Sequence, residues 1–159
     1  MKWTGPDGFE ADDSAERIDV DVVQGFLSTS YWAEGIPREV VERAVAGSLN
    51  LGVYDADGAM VAYARMVTDR ATFAWLADVF VLEEYRGRGL SKLLMSTILD
   101  HPDLQALRRF ALATKDAQGL YAQFGFTPLE DPSRFMVRRN PAVHRGGRYV
   151  LPADDGEAL

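Results

Sequence analysis

The 159-residue sequence predicts an α/β fold of the α+β kind, in which helices flank both faces of a mixed, mainly antiparallel sheet. Three observations lead to this prediction. Two apolar segments flank the turn sequence 55–58, as expected for a β-hairpin. Segments with helical periodicity lie on both sides of this strand-rich region. A long apolar segment, 72–82, then runs into a glycine-rich loop that opens into a helix.

The N-terminal half is expected to hold one strand, two helices and the hairpin. Residues 1 to about 14 are predicted to be a loose head, followed by a strand over 18–20. Two amphipathic helices come next, and Pro37 suits the first turn of the second. Their apolar faces are Val22, Val23, Phe26 and Leu27, and then Val40, Val41, Ala44 and Val45. The hairpin strands are predicted over 49–54 and 60–67.

The second half is expected to add a long strand, a helix, a buried strand and a short helix. The strand over 72–82 precedes a helix that stops at 100–102. The inward residues of that helix are Leu90, Leu93, Leu94 and Ile98. A buried strand is predicted over 110–113, and Asp116 could cap a short helix that ends at Gly125.

A last strand is predicted over 135–137, which completes the order β-α-α-β-β-β-α-β-α-β. No internal repeat or linker divides the chain. The prediction is therefore a single domain over 1–159, with a core over about 16–139 and loose ends. Phe124 shares an apolar helical face with Leu120 and Tyr121, as expected for a helix that packs on the sheet.

Composition excludes several classes of function. The absence of cysteine leaves no disulfide framework, thiol nucleophile or cysteine metal site, and we expect no metal. The net charge of −7 disfavours nucleic acid as a partner. No apolar run suits a membrane span or a signal peptide, so a cytoplasmic protein with no membrane partner is expected. The sequence gives no prediction of the oligomeric state. Acidic clusters at 10–16 and 154–157 are expected to be solvated tails, and His101 to cap a helix end.

The loop after the long strand has the chemistry of a phosphate site. Free N–H groups and the macrodipole at a helix N-terminus attract anions. Glycines allow close backbone approach, and arginines add charge-assisted donors. The donors would come from Arg86, Gly87, Arg88, Gly89, Leu90 and Ser91. Lys92 follows Ser91, which is the wrong order for a Walker A loop and the wrong residue for a Rossmann loop. A pyrophosphate is the expected ligand; a plain turn with solvated arginines is the alternative.

The pattern Arg86-x-x-Gly89-x-Ser91 resembles the Arg/Gln-x-x-Gly-x-Gly/Ala motif of the GNAT superfamily of acyl-CoA-dependent N-acyltransferases. A second segment, 114–126, resembles the later motif Asn-x-x-Ala-x-x-x-Tyr-x-x-x-Gly-Phe. The matching positions are Ala117, Tyr121, Gly125 and Phe126, with Thr114 in place of Asn. The resemblance covers about 16–137. The amino-acid sequences of segments 30–33 and 76–81 are similar to an uncharacterised bacterial branch of the superfamily.

The resemblance implies acetyl-CoA as co-substrate. The strands on either side of the cofactor helix are expected to splay apart, so that the thioester arm enters the gap. Its pyrophosphate would lie on the loop over 86–91, and its pantetheine arm against the backbone N–H groups of Val79 and Val81. Thr114 and Ala117 are also expected to contact it.

The resemblance also implies catalytic and acceptor residues. Tyr121 would act as the leaving-group acid; without the motif it reads as a core aromatic residue. Asp78 is the base candidate, because it is an acid inside the apolar strand segment 75–81. The alternative is a structural aspartate that holds backbone N–H groups or an arginine. Tyr31 and Trp32 are expected to form the acceptor wall, although a helix-packing role suits Trp32 equally well.

These expectations together predict an N-acetyltransferase. No cysteine and no serine–histidine pair is evident, which favours direct transfer in a ternary complex over a covalent acyl-enzyme. The acceptor would be a primary amine, either a small molecule or a protein amine. The alternative is a non-catalytic acyl-CoA-binding sensor or regulatory module, in which the cofactor loop is kept and the base is missing. A nucleotide-phosphate-binding protein is disfavoured by the loop sequence.

Overall fold

The computed structural model describes residues 1–140. The chain divides into two compact units, Met1–Thr127 and Pro128–Leu159. The predictions for the tail and for the acidic cluster at 154–157 lie outside the described residues. The prediction of a single domain over 1–159 stays a prediction.

Within the described part of the first unit, six strands form one sheet whose spatial order follows the sequence. The strands are β1 (Lys2–Thr4), β2 (Glu10–Asp12), β3 (Leu49–Tyr54), β4 (Met60–Thr68), β5 (Phe73–Val81) and β6 (Arg109–Leu112). All neighbours pair antiparallel except β5 and β6, which pair parallel. The predicted mixed, mainly antiparallel sheet is therefore confirmed.

Helices cover both faces of this sheet, as predicted. They are α1 (Val20–Leu27), α2 (Arg38–Ala46), α3 (Leu90–Asp100) and α4 (Gln118–Ala122), joined by short 3-10 turns. One buried cluster joins α3 and α4 to the sheet through residues such as Leu90, Leu94 and Tyr121. A second cluster, on the α1 and α2 side, contains Val23, Leu27, Val41 and Phe80. The predicted apolar helix faces supply the helical members of both clusters, and Phe80 comes from β5.

Side-chain caps define several helix ends. The Asp19 carboxylate accepts from the N–H groups of Asp21 and Val22 and starts α1, so the strand predicted over 18–20 is wrong. His101 follows α3, but its ring accepts from the Asp103 N–H at 3.2 Å and so caps the start of the 3-10 turn Pro102–Leu104 and not the predicted end of the preceding helix. Pro37 is the N-cap of α2 and not part of its first turn.

Asp116 does not cap α4. Thr114 Oγ1 instead accepts from the Ala117 N–H at 3.0 Å and fixes the turn before the helix. The N-cap residue of α4 is Ala117, which offers no side-chain acceptor. The helix is shorter than predicted, and turns continue it to Gly125, where φ is 83°.

The N-terminal head is not loose. β1 and β2 form a hairpin around the turn Pro6–Gly8, and β2 pairs with β3. Phe9 and Ala11 are buried in the sheet core, with 5% and 0% of their surface exposed. Proline, aspartate and glycine in succession are a turn signal, which explains why such short strands can be joined here.

The acidic cluster at 10–16 is not a solvated tail either. Arg17 lies between the carboxylates of Glu10 and Asp12, and Asp12 is fully buried. Burial opposes ionisation of Asp12, but hydrogen bonds from Ser14 and Arg17 outweigh it and lower the pKa of its carboxyl to about 2. Asp13 in turn contacts His101 at 3.0 Å. The cluster therefore ties the N-terminal hairpin to the rest of the unit.

The second unit is described up to residue 140. Its 3-10 turn Pro132–Arg134 begins at Asp131, whose side chain accepts from the Ser133 N–H at 3.1 Å. The strand predicted over 135–137 is wrong. These three apolar residues are exposed, and no strand lies beside them in the described part of this unit. An apolar run this short has no face to bury without a partner strand.

Candidate functional site

β6 covers only part of β5. All of β6 pairs with β5, up to Leu112 and Leu76, whereas β5 continues to Val81. The C-terminal part of β5 therefore has a paired edge along β4 and an open edge beyond the end of β6, which we call the gap. The splay of the two strands that the resemblance implies stays a prediction.

Backbone donors of β5 face this gap. Leu82 donates its N–H to the Val61 carbonyl oxygen at 2.9 Å, which points the Leu82 N–H towards β4. N–H directions alternate along a strand, so the N–H of Val81 points to the open edge, and that of Val79 follows the same alternation. Both residues were predicted to bind the pantetheine arm, and both have donors on the required side.

A β-bulge lies at Asp78. The register pairs Tyr63 with Phe80 but Arg65 with Ala77, so one residue of β4 opposes two of β5. Asp78 has φ of 54°, which is rare for a residue with a side chain. A bulge bends its strand and redirects a side chain, and both effects occur where β5 extends beyond β6.

Both carboxylate oxygens of Asp78 accept hydrogen bonds. Arg65 Nε donates to Oδ2 at 2.7 Å, and Trp32 Nε1 donates to Oδ1 at 3.2 Å. The Arg65 and Asp78 side chains are 17% and 11% exposed, so water screens this ion pair little. The alternative to a catalytic base was a structural aspartate that holds an arginine, and Arg65 is such a partner. The role of Asp78 as a base stays a prediction. Arg65 was not predicted as a site residue, although a charged residue inside the apolar strand β4 was the available signal.

The loop before α3 presents free N–H groups. Gly89 is the N-cap of α3, has φ of 79°, and no side chain caps this end. The first helical bond runs from Leu93 N to Gly89 O, which leaves the N–H groups of Leu90, Ser91 and Lys92 without helical acceptors. A Cβ at Gly87 or Gly89 would meet no atom within 4 Å, so the space above the loop is open. These features fit a pyrophosphate group.

The two arginines of this loop have different surroundings. Arg86 Nε donates to the Val81 carbonyl oxygen at 3.3 Å, beside the gap. The Arg88 guanidinium lies 5.4 Å from the ring centroid of Tyr85. Both side chains are exposed and able to reach an anion above the N-terminus of α3.

A cleft of about 700 Å³ lies on the α1 side of the same region. Phe26, Tyr31 and Trp32 give it aromatic walls, and Arg86 joins it to the cofactor loop. Its remaining lining residues are Asp21, Val22, Gly25, Thr29, Ser30, Leu82, Glu83 and Glu84. The predicted acceptor residues and one predicted cofactor residue therefore border the same cavity.

Tyr121 is buried on α4, with 9% of its surface exposed. Burial raises the pKa of its phenol above the usual value, and nearby Tyr31 and Asp116 raise it further. The phenol is therefore protonated at neutral pH and able to donate. Its ring packs edge-on against Phe126, with centroids 6.0 Å apart, so it is also part of the core.

Two kinds of feature are absent from residues 1–140. No helix in this range is both long and apolar enough to cross a membrane. No group of three or more histidine, cysteine, aspartate or glutamate side chains is arranged there to hold a metal ion.

Comparison with known proteins identifies relatives of this chain. A candidate acetyltransferase of Gibberella zeae is 29% identical in an alignment of 145 positions that covers 77% of this chain and 80% of the relative. A crystal structure of a candidate GNAT acetyltransferase from Xanthomonas campestris pv. campestris is 47% identical, with a TM-score of 0.84 over 88% of this chain and 99% of that one. A Staphylococcus aureus structure, 22% identical with a TM-score of 0.67 over 83% and 99% of the chains, shows the fold alone.

The sequence profile of the acetyltransferase (GNAT) domain matches residues 47–128. This segment runs from β3 to beyond α4 and contains the bulge, the glycine-rich loop and Tyr121. It thus includes each backbone feature that borders the gap. The chain belongs to the GNAT family of acetyltransferases, enzymes that use acetyl-CoA as co-substrate.

Proposed function

We propose that this chain transfers an acetyl group from acetyl-CoA directly to a primary amine, in a ternary complex. The observation that carries the proposal is the gap along β5 beyond the end of β6. It opens between the uncapped N-terminus of α3 and the aromatic cleft. A phosphate site, an open strand edge and an acceptor cavity are thus adjacent, as a direct transfer requires.

Acetyl-CoA would supply the activated acetyl group as a thioester. The loop over 86–91 would hold its pyrophosphate through N–H groups and arginines. The N–H groups of Val79 and Val81 would hold the pantetheine amides or the thioester oxygen, where negative charge develops. Thr114 Oγ1 already accepts from the Ala117 N–H and still has its own hydrogen to donate.

Two side chains are proposed to serve proton transfer. Tyr121 would donate a hydrogen bond to the leaving thiolate, because its raised pKa keeps the phenol protonated. The same shift makes full proton transfer to a thiolate uphill by more than about 2 kcal/mol, so stabilisation of the thiolate is the better description. Asp78 would orient or deprotonate the amine, directly or through water. No covalent acyl-enzyme is proposed.

The cleft favours a positively charged acceptor. Three carboxylates line it, those of Asp21, Glu83 and Glu84, against the guanidinium of Arg86. Aromatic faces beside carboxylates suit ammonium groups. A small-molecule amine and an exposed protein amine both fit this description. The cytoplasm stays the proposed compartment.

A panel of amines tests the proposal directly. Purified protein is mixed with acetyl-CoA and each amine, and the release of CoA thiol is followed. Acetylation of at least one amine, with a rate that saturates in both substrates, supports the enzyme. The alternative, an acyl-CoA-binding sensor, predicts tight binding of acetyl-CoA in calorimetry and no acetylated product from any amine. Binding of ATP as tight as that of acetyl-CoA would contradict both.

A further inference from the structure

We propose that Tyr31 and Trp32 form a strap across the acceptor end of the gap, and that the Arg65–Asp78 ion pair latches this strap in place. Arg65 is then a positioning residue for the acceptor, acting through Asp78 and Trp32. The proposal adds to the acetyl transfer proposed above and relies on it for the kinetic consequence, but the latch itself is a property of the folded chain.

The strap contacts both sides of the gap. Trp32 Nε1 donates to Asp78 on β5 at 3.2 Å. The neighbouring Tyr31 hydroxyl accepts from the Lys115 N–H at 3.3 Å, just beyond the end of β6. Both contacts lie beyond the last pair of β5 and β6, so two consecutive residues of the α1–α2 loop bridge the opening.

Aromatic packing keeps the strap in one orientation. The Tyr31 and Trp32 rings meet edge-on, with centroids 5.0 Å apart. Trp32 also lies 6.2 Å from Phe26, which stacks on Phe80 of β5 at 4.1 Å. Yet Tyr31 and Trp32 remain 58% and 44% exposed. Their free faces therefore form part of the cleft wall that an acceptor would meet.

The latch is anchored away from the strap. Arg65 Nη1 donates to Ser48 Oγ at 3.1 Å, and this hydroxyl donates to the Ala44 carbonyl oxygen in α2 at 2.7 Å. The guanidinium is thus held between β4 and the end of α2. Its Nε then directs the Asp78 carboxylate, whose backbone is already in the unusual left-handed conformation. The Asp78 side chain is thus fixed by its own backbone and by Arg65, so it can hold the Trp32 indole in one position.

The position of the strap gives it a role in choosing the acceptor. Tyr31 and Trp32 both line the cleft, and the Tyr31 hydroxyl is bonded to Lys115, in the segment that leads into α4. The strap therefore borders both the proposed acceptor cavity and the approach to the helix that carries Tyr121. A latched strap presents a fixed aromatic wall, whereas a loose one does not. Loss of the latch should weaken acceptor recognition and leave acetyl-CoA recognition nearly unchanged, because the proposed cofactor contacts come from the loop over 86–91 and from backbone N–H groups of β5, neither of which depends on the Arg65 side chain.

The indole N–H of Trp32 reports directly on the latch. The protein has three tryptophans, so nitrogen-15 labelling gives three indole resonances, and Trp32→Phe assigns the one that belongs to Trp32. Arg65→Met removes the charge and the donors that hold Asp78. We expect the Trp32 indole proton to exchange with water at least about tenfold faster in this variant. Arg65→Lys, which keeps the charge, should restore part of the protection.

Arg70→Met is the matched control. Arg70 pairs with Asp103 at 2.9 Å in the turn after β4, so this variant also loses one arginine ion pair, but outside the site. It should leave the Trp32 indole exchange unchanged. If Arg65→Met does not fold, Asp78→Asn is the second latch variant. The Asn side chain has one acceptor oxygen, which cannot serve both Arg65 and Trp32 as the two carboxylate oxygens do. Indole exchange that stays at the wild-type rate in a folded latch variant overturns the latch.

Kinetics test the consequence with the best amine from the panel. Arg65→Met should raise the KM for the amine several-fold and leave the KM for acetyl-CoA within about twofold of wild type. Equal rises in both constants, or neither rising, would overturn the role in acceptor positioning. If no amine reacts, the proposed function fails while the indole measurement still decides the latch, so the two failures are distinguishable.

Discussion

Arg86 Nε donates to the carbonyl oxygen of Val81 at 3.3 Å. In an antiparallel pair, the N–H and C=O of a residue point to the same side, so this carbonyl faces the gap together with the Val81 N–H. The arginine that the loop motif assigns to the pyrophosphate is therefore bonded to the strand edge that we propose for the pantetheine arm. Binding of the cofactor at these two places would therefore involve the hydrogen bond between Arg86 and Val81.

Arg86→Ala should weaken CoA binding by about 1.5–3 kcal/mol, the typical value of a charge-assisted hydrogen bond. The exchange of the Val81 contact for a phosphate contact offsets only part of this loss, because a guanidinium binds a charged phosphate oxygen more strongly than a neutral carbonyl oxygen. Calorimetry with CoA and dephospho-CoA measures it. Both ligands should lose equally if Arg86 serves the pyrophosphate and not the 3′-phosphate. A dissociation constant equal to that of wild type in the folded variant would assign Arg86 to the solvated surface.

Gly89→Ala should destabilise the fold by about 1–2 kcal/mol, the cost of a left-handed backbone for an L-residue. No atom lies within 4 Å of the place that the new methyl group would take, so the cost is backbone strain alone, at φ of 79°. Gly119→Ala in α4 is the matched control, because its methyl is equally free and its backbone is helical. It should stabilise by about 0.5–1 kcal/mol. Urea unfolding of both measures the contrast; changes of the same sign would contradict it.

The periodicity of apolar residues within single helices and strands, together with the order of the motifs, made most of this fold predictable. Strands β3 to β6 and helices α1 to α3 lie within a few residues of their predicted bounds, since each is an apolar run or is long enough to show its period. The β1–β2 hairpin escaped prediction because strands of three residues show no alternation. Only the turn at Pro6–Gly8 marked it.

The site was predictable in part for a different reason. The loop over 86–91 is contiguous in sequence, so its chemistry is readable before folding. The contacts of Asp78 are not, because Trp32 is 46 residues away and Arg65 is on another strand. A one-residue register shift decides where Asp78 points, and no spacing rule gives the position of a bulge.

Arg17→Met should lower the free energy of unfolding at neutral pH by part of about 2 kcal/mol and make the protein less sensitive to acid, because Ser14 still donates to the Asp12 carboxylate in this variant. Asp12 has a folded pKa of about 2 against 3.8 in the unfolded chain. A lowered carboxyl pKa stabilises the fold above the unfolded value, and this stability, about 2 kcal/mol, is lost as the pH falls from about 4 through 2.

Urea unfolding at several pH values measures the Arg17 effect. Arg38→Met is the control, since Arg38 pairs with the exposed carboxylates of Asp21 and Glu42, and its loss should cost less stability than the loss of Arg17. Equal losses in the two variants, or a wild-type pH profile in Arg17→Met, would show that the buried cluster contributes no special stability.

Asp78→Asn should lower turnover by about 10²–10⁴-fold at neutral pH, with acetyl-CoA affinity preserved, if Asp78 is the general base. Loss of the latch alone would instead raise the KM for the amine and leave turnover largely intact. Steady-state kinetics in both substrates separates the two roles of the same side chain. Normal turnover and normal KM values, together with a lower melting temperature, would make Asp78 a purely structural residue.

Tyr121→Phe removes one oxygen and keeps the ring, so the packing against Phe126 should survive. We expect turnover to fall by about 10- to 1000-fold without a rise in the KM for acetyl-CoA, because the lost hydrogen bond forms only as the thiolate develops. The raised pKa keeps this phenol protonated up to at least about pH 10, so Tyr121 should impose no alkaline limit below that value. Tyr54→Phe is the control: its buried hydroxyl donates to the Arg17 carbonyl oxygen at 2.9 Å, away from the gap, and its loss should lower stability alone. Full turnover in a stable Tyr121→Phe protein would reduce Tyr121 to a core aromatic residue and imply that the thiolate leaves unaided, as a thiol pKa near about 8.5 permits.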